Sequence, residues 1–320
     1  MNNKLICTIL ISIVAINFNC YTQGGSVMSE IQSTIGTIQT SHAPVWYKKF
    51  FTNESEHKTP ILCLHGGPGF SHHCMLDLEA LAADHPVILY DQSGCGNSKT
   101  TTDDAFDNWS FDHYLTELEE FIDALGYEKV ILLGYSWGGT LALKYASLHQ
   151  DKLEALVLAS PLISTKQWVA DCKTLAASIA PEFLELIEKH EAAGTTTDQQ
   201  YQEATTIFYN NFLCRMQPWP KNVLDACSVM NPIVYHTMWG PSEFTAIGNL
   251  QDVDLTHELS NIFVPTLITC GRYDMATPER MQEYAHLLPN GKVAMLEHSA
   301  HMNIPEEPEV YVRILREFLA

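Results

Sequence analysis

Residues Val130 to Leu141, VILLGYSWGGTL, constrain this chain more than any other stretch. A run of β-branched and leucine residues stops at Gly134-Tyr135-Ser136-Trp137-Gly138, and apolar residues then recur at helical spacing, Leu141, Ala142, Tyr145 and Ala146. A strand must therefore turn tightly into a helix. The turn matches G-x-S-x-G, in which a serine sits on a strained corner and the flanking glycines avoid collisions that any Cβ would make with the neighbouring strand and helix. Such strain lifts the hydroxyl clear of the backbone, and the amides of the new helix point at charge forming beside it. Ser136 is the candidate nucleophile; the competing reading is an ordinary strand-to-helix glycine turn.

At 320 residues the chain can bury a sizeable core, as one large domain or two smaller ones. Its formal charge of -20, from 38 acidic against 18 basic residues, with no basic run beyond pairs such as Lys48-Lys49, argues against nucleic acid as a partner. The acidic balance reads as solubility. The nine cysteines form no recognisable disulfide framework, and Cys63, Cys95 and Cys270 lie beside predicted strand ends, where a free cysteine acts as a small buried hydrophobe. With no C-x-x-C pair and no H-E-x-x-H, neither a metal nor a cofactor is expected.

Two readings stay open for residues 1–27. Lys4 and the apolar stretch Leu5 to Phe18 suit a signal segment, and Cys20 stands where a lipoprotein carries its lipidated cysteine. Against this, Asn17-Phe18-Asn19 is a poor lipobox, and Met28 opens a plausible start, MSEIQ, which would make the preceding residues an extension. The protein would be cytoplasmic from Met28 and otherwise exported or membrane-anchored through that segment alone. Oligomeric state is left open.

Alternation over Ile31 to Thr52 suits an edge hairpin. Apolar runs at Pro60 to Leu64 and His85 to Tyr90 end in the glycine-rich turns His65-Gly66-Gly67-Pro68-Gly69 and Asp91-Gln92-Ser93-Gly94-Cys95-Gly96-Asn97-Ser98, with a helix predicted over Ser71 to Ala83. Phe111, Tyr114, Leu115, Leu118, Phe121, Ile122 and Leu125 give a helix closed by Gly126. A strand at Ala155 to Leu158 follows the elbow. This alternation predicts an α/β fold with a mostly parallel sheet covered on both faces, its first part over residues 31–160. Residues 161–256 read as an inserted, mostly helical cap broken by Pro218, Pro220, Pro232 and Pro241. The second part of the core, 257–320, returns with a strand at Pro265 to Thr269, a helix from Pro278 to Leu287, a strand at Lys292 to Leu296 and a terminal helix from Glu306 to Leu319.

A serine hydroxyl needs a histidine to take its proton and a carboxylate to orient that histidine. Asp274 follows the strand ending at Thr269, and His301 follows the strand ending at Leu296. Carboxyl ends of parallel strands converge on one crevice, so Ser136, Asp274 and His301 would meet there, in the order serine, acid, histidine. The rival to His301 is His298, and the bland role for Asp274 is a turn or helix cap. The oxyanion donors would be the amide of Trp137 and one from the loop His65 to Gly69. Phosphate binding by that loop is disfavoured because no lysine followed by Ser or Thr comes after it.

HGGPG at His65 to Gly69, DQSGCGNS at Asp91 to Ser98, GYSWGG at Gly134 to Gly139, MWGPSEF at Met238 to Phe244 and GRYDMATP at Gly271 to Pro278 together resemble the proline iminopeptidase family of α/β-hydrolases, including its tricorn-associated aminopeptidases. The resemblance runs from about Ile35 to the C-terminus. It implies an α/β-hydrolase fold with a helical cap and metal-free release of an N-terminal residue, often proline, from short peptides or amino-acid amides. It also implies that Glu243 binds the free α-amino group. A second cap glutamate of the tricorn-associated members falls where this chain has Gln217, which removes a charge and weakens the case for strict aminopeptidase specificity, although the resemblance still implies a substrate-binding role for Gln217, whose side chain can accept a hydrogen bond from the ammonium with less electrostatic gain. Trp168, Tyr209, Phe212, Trp219 and Trp239 are candidates to line an apolar pocket, or simply the core of the cap.

The expected chemistry is acyl transfer: Ser136 attacks, His301 moves the proton, Asp274 orients His301, and the amides of Gly67 and Trp137 hold the oxyanion. The alternatives are a carboxylesterase or general amidase of the same fold, since one triad serves many reactions, and a catalytically silent receptor, which an intact serine, acid and histidine oppose.

Overall fold

The computed structural model describes residues 10–12, 30–99 and 108–320. Its strands are β1 (Leu10–Ser12), β2 (Gln32–Gln39), β3 (Pro44–Phe51), β4 (Ile61–Leu64), β5 (Val87–Tyr90), β6 (Val130–Tyr135), β7 (Leu153–Ala159), β8 (Thr266–Gly271) and β9 (Gly291–Leu296). Among the described residues they form one sheet in the order β1-β2-β3-β5-β4-β6-β7-β8-β9. Pairing is antiparallel from β1 through β3 to β5 and parallel from β5 to β9.

The sequence dictates where the sheet is buried. Every residue of β4, β5 and β6 is buried, and side chains leave a strand on alternate faces. Leu62, Leu64, Ile88, Tyr90 and Leu132 therefore enter one apolar cluster, while Ile61, Cys63, Val87, Leu89, Ile131 and Leu133 enter another on the opposite face. An apolar run with both faces covered is the signature of a parallel sheet, as the strand and helix alternation predicts. The hairpin β2–β3, with several half-exposed residues, forms the antiparallel side. The seven described cysteines are free, and Cys63, Cys95 and Cys270 are buried.

The helices are α1 (Phe111–Leu125), α2 (Trp137–Leu148), α3 (Thr165–Ile179), α4 (Pro181–Ala193), α5 (Gln199–Phe212), α6 (Lys221–Ser228), α7 (Pro232–Met238), α8 (Pro278–Leu287), α9 (Asn303–Glu306) and α10 (Pro308–Leu319). Ser110 caps α1 by accepting from the His113 amide, and Gly126 closes it in a left-handed conformation. Between β7 and β8 lie α3 to α7. Pro181 and Pro232 open α4 and α7 instead of breaking them, since the first turn has no use for an amide hydrogen.

The helix predicted over Ser71 to Ala83 is present as a 3₁₀ helix, His72–Ala83. His72, Met75, Leu78 and Leu81 are buried at a strict spacing of three, and only a three-residue turn stacks such a row along one line. The terminal helix is split into α9 and α10 at Pro308. Proline disfavours a helical residue before it, and Glu307 accordingly lies at φ -133 and ψ 57.

The signal or extension reading of residues 1–27 falls almost wholly outside the described residues; within it, β1 pairs with β2, with Leu10 opposite Thr37. Among the described residues no helix is long and apolar enough to cross a membrane.

A buried carboxyl marks the α1 face. Both oxygens of Glu117 accept from the Ser93 amide, at 3.2 and 3.1 Å. Burial pushes Glu117 up to about 7, against the opposing hydrogen bonds from Ser93. Between its ordinary value of 4.5 and about 7 the folded protein holds a proton that the unfolded chain has released, so stability falls as pH rises through that window. Glu117→Gln removes this titration. Relative to wild type, the variant is expected to gain about 2 kcal/mol between about pH 5 and about pH 8 in urea-unfolding experiments; parallel pH profiles for the two proteins would contradict the assignment.

Candidate active site

Ser136 sits at φ 55 and ψ -115, a conformation that costs energy in any residue with a side chain. It persists because its backbone is tied on both sides. The Ser136 amide donates to Ala159 O at 2.8 Å, and its carbonyl accepts from the amides of Gly139 at 2.9 Å and Leu162 at 3.2 Å. The turn also needs its glycines: a Cβ on Gly134 would lie 2.2 Å from Gly138 O, and one on Gly138 would lie 2.2 Å from Leu64 O. Helix α2 is thereby pressed onto β4 and β6, with Ser136 at its head.

Asp274 and His301 come together from the ends of β8 and β9. His301 Nδ1 lies 2.8 Å from Asp274 Oδ1, and both residues are buried. A carboxylate acceptor places the proton on Nδ1 and leaves Nε2 as the basic nitrogen. The Asp274 carboxylate has three further donors, Ala276 N at 2.8 Å to Oδ1 and Ser160 Oγ at 2.6 Å and Gly271 N at 3.2 Å to Oδ2. Ser160 in turn accepts from Asn303 Nδ2 at 2.7 Å. The His301 segment is anchored by its amide donating to Phe212 O at 3.2 Å and its carbonyl accepting from Tyr135 OH at 2.8 Å. His298, the rival, is exposed, and its amide donates to Glu307.

Ser136, His301, Gly66, Gly67 and Glu243 line one cavity of about 340 Å³. Gly67 stands at φ 115, where a side chain is strained, and a Cβ on Gly66 would come within 3.1 Å of Ser136 Cβ, so the loop passes directly against the serine. Trp137 opens α2, where the first amides have no partner within the helix.

Glu243 accepts from Trp168 Nε1 and from Tyr235 OH, each at 2.8 Å. Burial pushes its carboxyl up, with those two hydrogen bonds and His301 acting against the rise. The Trp168 ring lies edge-on to His301, 5.5 Å between centroids, so one indole touches both groups. The turn carrying Glu243 is held from α4, where Glu191 accepts from the hydroxyls of Ser242 and Thr245.

Gln217 does not join this group. It is exposed, its amide donates to Asn210 Oδ1 at 2.9 Å, and it is not among the residues lining the cavity. Of the five aromatic candidates, Tyr209 and Trp219 line the cavity and Trp168 reaches it through Glu243; Trp239 is buried with its indole on Ser242 O, and Phe212 packs against Phe208. Tyr235, Ser160 and Asn303 belong to the site without a motif to announce them. No local pattern marks Tyr235 or Asn303, because each matters only through a partner far along the chain or on another element, and Ser160 has one faint signal, its place after a buried strand, where it adopts φ 46.

A doubly covered parallel sheet with a strained serine between β6 and α2, and an acid and a histidine after the next strands, is the architecture of an α/β-hydrolase. The profile of the α/β-hydrolase fold family matches residues 59–308. A proline iminopeptidase of Heyndrickxia coagulans is 39% identical over 287 residues, covering 89% of this chain and 98% of the relative. The crystal structure of proline iminopeptidase from Mycobacterium smegmatis matches with a TM-score of 0.79 at 31% identity, over 88% of this chain and 96% of the other. That of VinJ matches with a TM-score of 0.81 at 34% identity, over 89% and 97%. The chain belongs to the proline iminopeptidase family of α/β-hydrolases.

Ser160→Ala removes one charge-assisted hydrogen bond from Asp274. Such a bond is worth about 1.5–3 kcal/mol, and the expected outcome is a fall of roughly tenfold or more in kcat for an aryl ester, with KM within about twofold. An unchanged kcat would show that Asp274 does not depend on Ser160.

Proposed function

We propose that this protein is a serine aminopeptidase that releases an N-terminal residue, proline or another small or apolar one, from short peptides or amino-acid amides. It is a serine hydrolase by family, and the observation that carries the narrower reading is the Glu243 carboxylate in the same cavity as Ser136 and His301. In this reading α3 to α7 belong to a cap spanning residues 161–256, set between core segments 31–160 and 257–320. Glu243 receives the substrate ammonium, whose charge offsets the burial that raises its carboxyl. The scissile carbonyl then lies between Ser136 and the amides of Gly67 and Trp137.

His301 Nε2 takes the Ser136 proton as Oγ attacks, and the tetrahedral oxyanion is held by the two amides. The imidazolium that forms is stabilised by Asp274. Collapse expels the amine, which leaves with the proton from His301, and water repeats the sequence to free the acyl group. The mostly apolar lining, with Phe70, Leu213, Met230 and Met302, suits an apolar acyl side chain.

A carboxylesterase or general amidase is the second reading, and the position of Gln217 favours it, since no second acceptor from that segment reaches the cavity. Steady-state hydrolysis of proline, alanine and leucine arylamides, their N-acetylated forms and a simple aryl ester separates the two. Free-amine substrates are expected to be preferred, with kcat/KM reduced roughly 30-fold or more by Glu243→Gln and the ester left within about threefold. Because burial raises Glu243, the loss of arylamide kcat/KM on acidification should begin above the ordinary glutamate range, and Glu243→Gln should abolish that component. Equal or faster turnover of acetylated amides would replace the aminopeptidase reading with the second one.

A further inference from the structure

Gln92 lies outside the cavity lining and is fully buried, yet both polar atoms of its side chain and its backbone amide bond to the two chain segments that carry the proposed oxyanion donors. Its Nε2 donates to His65 O at 2.9 Å, and its Oε1 accepts from Trp137 Nε1 at 2.9 Å. Its backbone amide donates to His65 Nε2 at 3.0 Å. His65 opens the loop that reaches Gly67, and Trp137 is the first residue of α2. Gln92 follows β5, whose neighbour in the sheet is β4, and β4 lies beside β6. One side chain thus spans from β5 across the end of β4 to the helix that follows β6.

The chemistry of the bridge selects the residue type. The His65 carbonyl needs a donor and the Trp137 indole needs an acceptor, and a carboxamide supplies both on separate atoms of one planar group, so the two bonds run in different directions at once. A carboxylate would set its charge against the His65 carbonyl, and an ammonium would leave the indole unpaired. His65 is held in one tautomer: with Nε2 accepting from Gln92, Nδ1 carries the proton and faces Gly66 O at 2.9 Å. Burial keeps that ring neutral, pushing it down to about 4 despite the opposing charge of Asp91.

The base of the bridge is fixed as well. Asp91 Oδ1 accepts from His72 N and His72 Nδ1, each at 2.8 Å, and Oδ2 accepts from Asn97 N at 2.8 Å and Asn97 Nδ2 at 3.0 Å. Burial alone would raise the Asp91 carboxyl, but the hydrogen bonds from His72 and Asn97 and the two neighbouring imidazoles together outweigh it and hold it below the usual range. Loop, bridge and helix start are therefore one hydrogen-bonded unit.

We propose that Gln92 is a positioning residue for the oxyanion site, setting the separation between the Gly67 and Trp137 amides by clamping His65 to the Trp137 indole. The inference rests on the acyl-transfer reading above but not on its aminopeptidase part. An oxyanion site stabilises the transition state and not the ground state, so loosening the clamp lowers kcat and leaves KM.

Gln92→Met, which keeps the length and removes both side-chain bonds, and Trp137→Phe, which removes only the indole donor, are compared on an aryl ester and on proline arylamide. Losing one oxyanion donor outright costs on the order of 100- to 1,000-fold, so displacement of two retained donors is expected to lower kcat roughly 10- to 100-fold on both substrates, with KM within about threefold. Affinity for an arylboronic acid, which forms a tetrahedral adduct with a serine, is expected to fall by the same factor as kcat/KM. A double-mutant cycle is expected to be less than additive, because both changes break one link. Retained kcat, a loss carried equally by KM, or boronate affinity unchanged while kcat falls would each overturn the clamp. If Gln92→Met does not fold, Trp137→Phe and its boronate affinity decide the matter by the same criteria. Failure of the aminopeptidase reading is separately visible, as wild-type turnover of the ester without the arylamide.

Discussion

The structure depends on one close approach, the first turn of α2 pressed against β4 and β6. Gly134 and Gly138 permit it, since any side chain at either position would overlap backbone atoms at 2.2 Å. Packing this tight leaves the intervening Ser136 no relaxed conformation, and its strain is borne by hydrogen bonds to the start and end of the β7 connection, Ala159 and Leu162. Everything else at the site is placed relative to that corner: the His65–Gly69 loop beside it, the Asp274–His301 pair from the following strands, and Glu243 from the helices between.

The buried polar groups around this corner are arranged unequally, and the inequality matters for chemistry. Asp274 has four donors on its carboxylate, which suits a group that must stay in place to orient a histidine. Glu243 has two, from Trp168 and Tyr235, and burial raises it, so its charged form has capacity left for a cationic partner. Gln92 and His65 are neutral and are bonded to each other, with Gln92 also on Trp137 and the His65 ring on Gly66. Fixed dipoles of this kind need no reorganisation when charge develops, which is the property an oxyanion site requires.

Strand and helix periodicities were legible because each is a local consequence of which face is buried. The apolar runs of β4 to β6 and the spacing in α1 are examples, and their ends are marked by Ser110, Gly126 and the prolines that open α4, α7 and α8. The 3₁₀ run over His72–Ala83 was less legible: its buried row at a spacing of three reads as a helix of either kind until the surfaces it packs against are known. Gln217 shows the same limit at the site. Its place in a motif-like segment suggested a role beside Glu243, whereas the chain turns it outward onto Asn210.

The α/β class and the elbow can be read from the chain alone, as can a candidate nucleophile, base and acid, because glycine spacing, strand ends and residue chemistry are properties of short stretches. Tertiary structure decided which of those residues meet. It brought Asp274 and His301 into contact and set His298 in solvent. It supplied Ser160 and Asn303 behind the acid, joined Trp168 and Tyr235 to Glu243, and ran Gln92 across β4 to Trp137. These contacts join residues up to 143 positions apart in the chain. A hydrogen bond across such a distance depends on the packing of whole elements, and no local pattern in the chain records it.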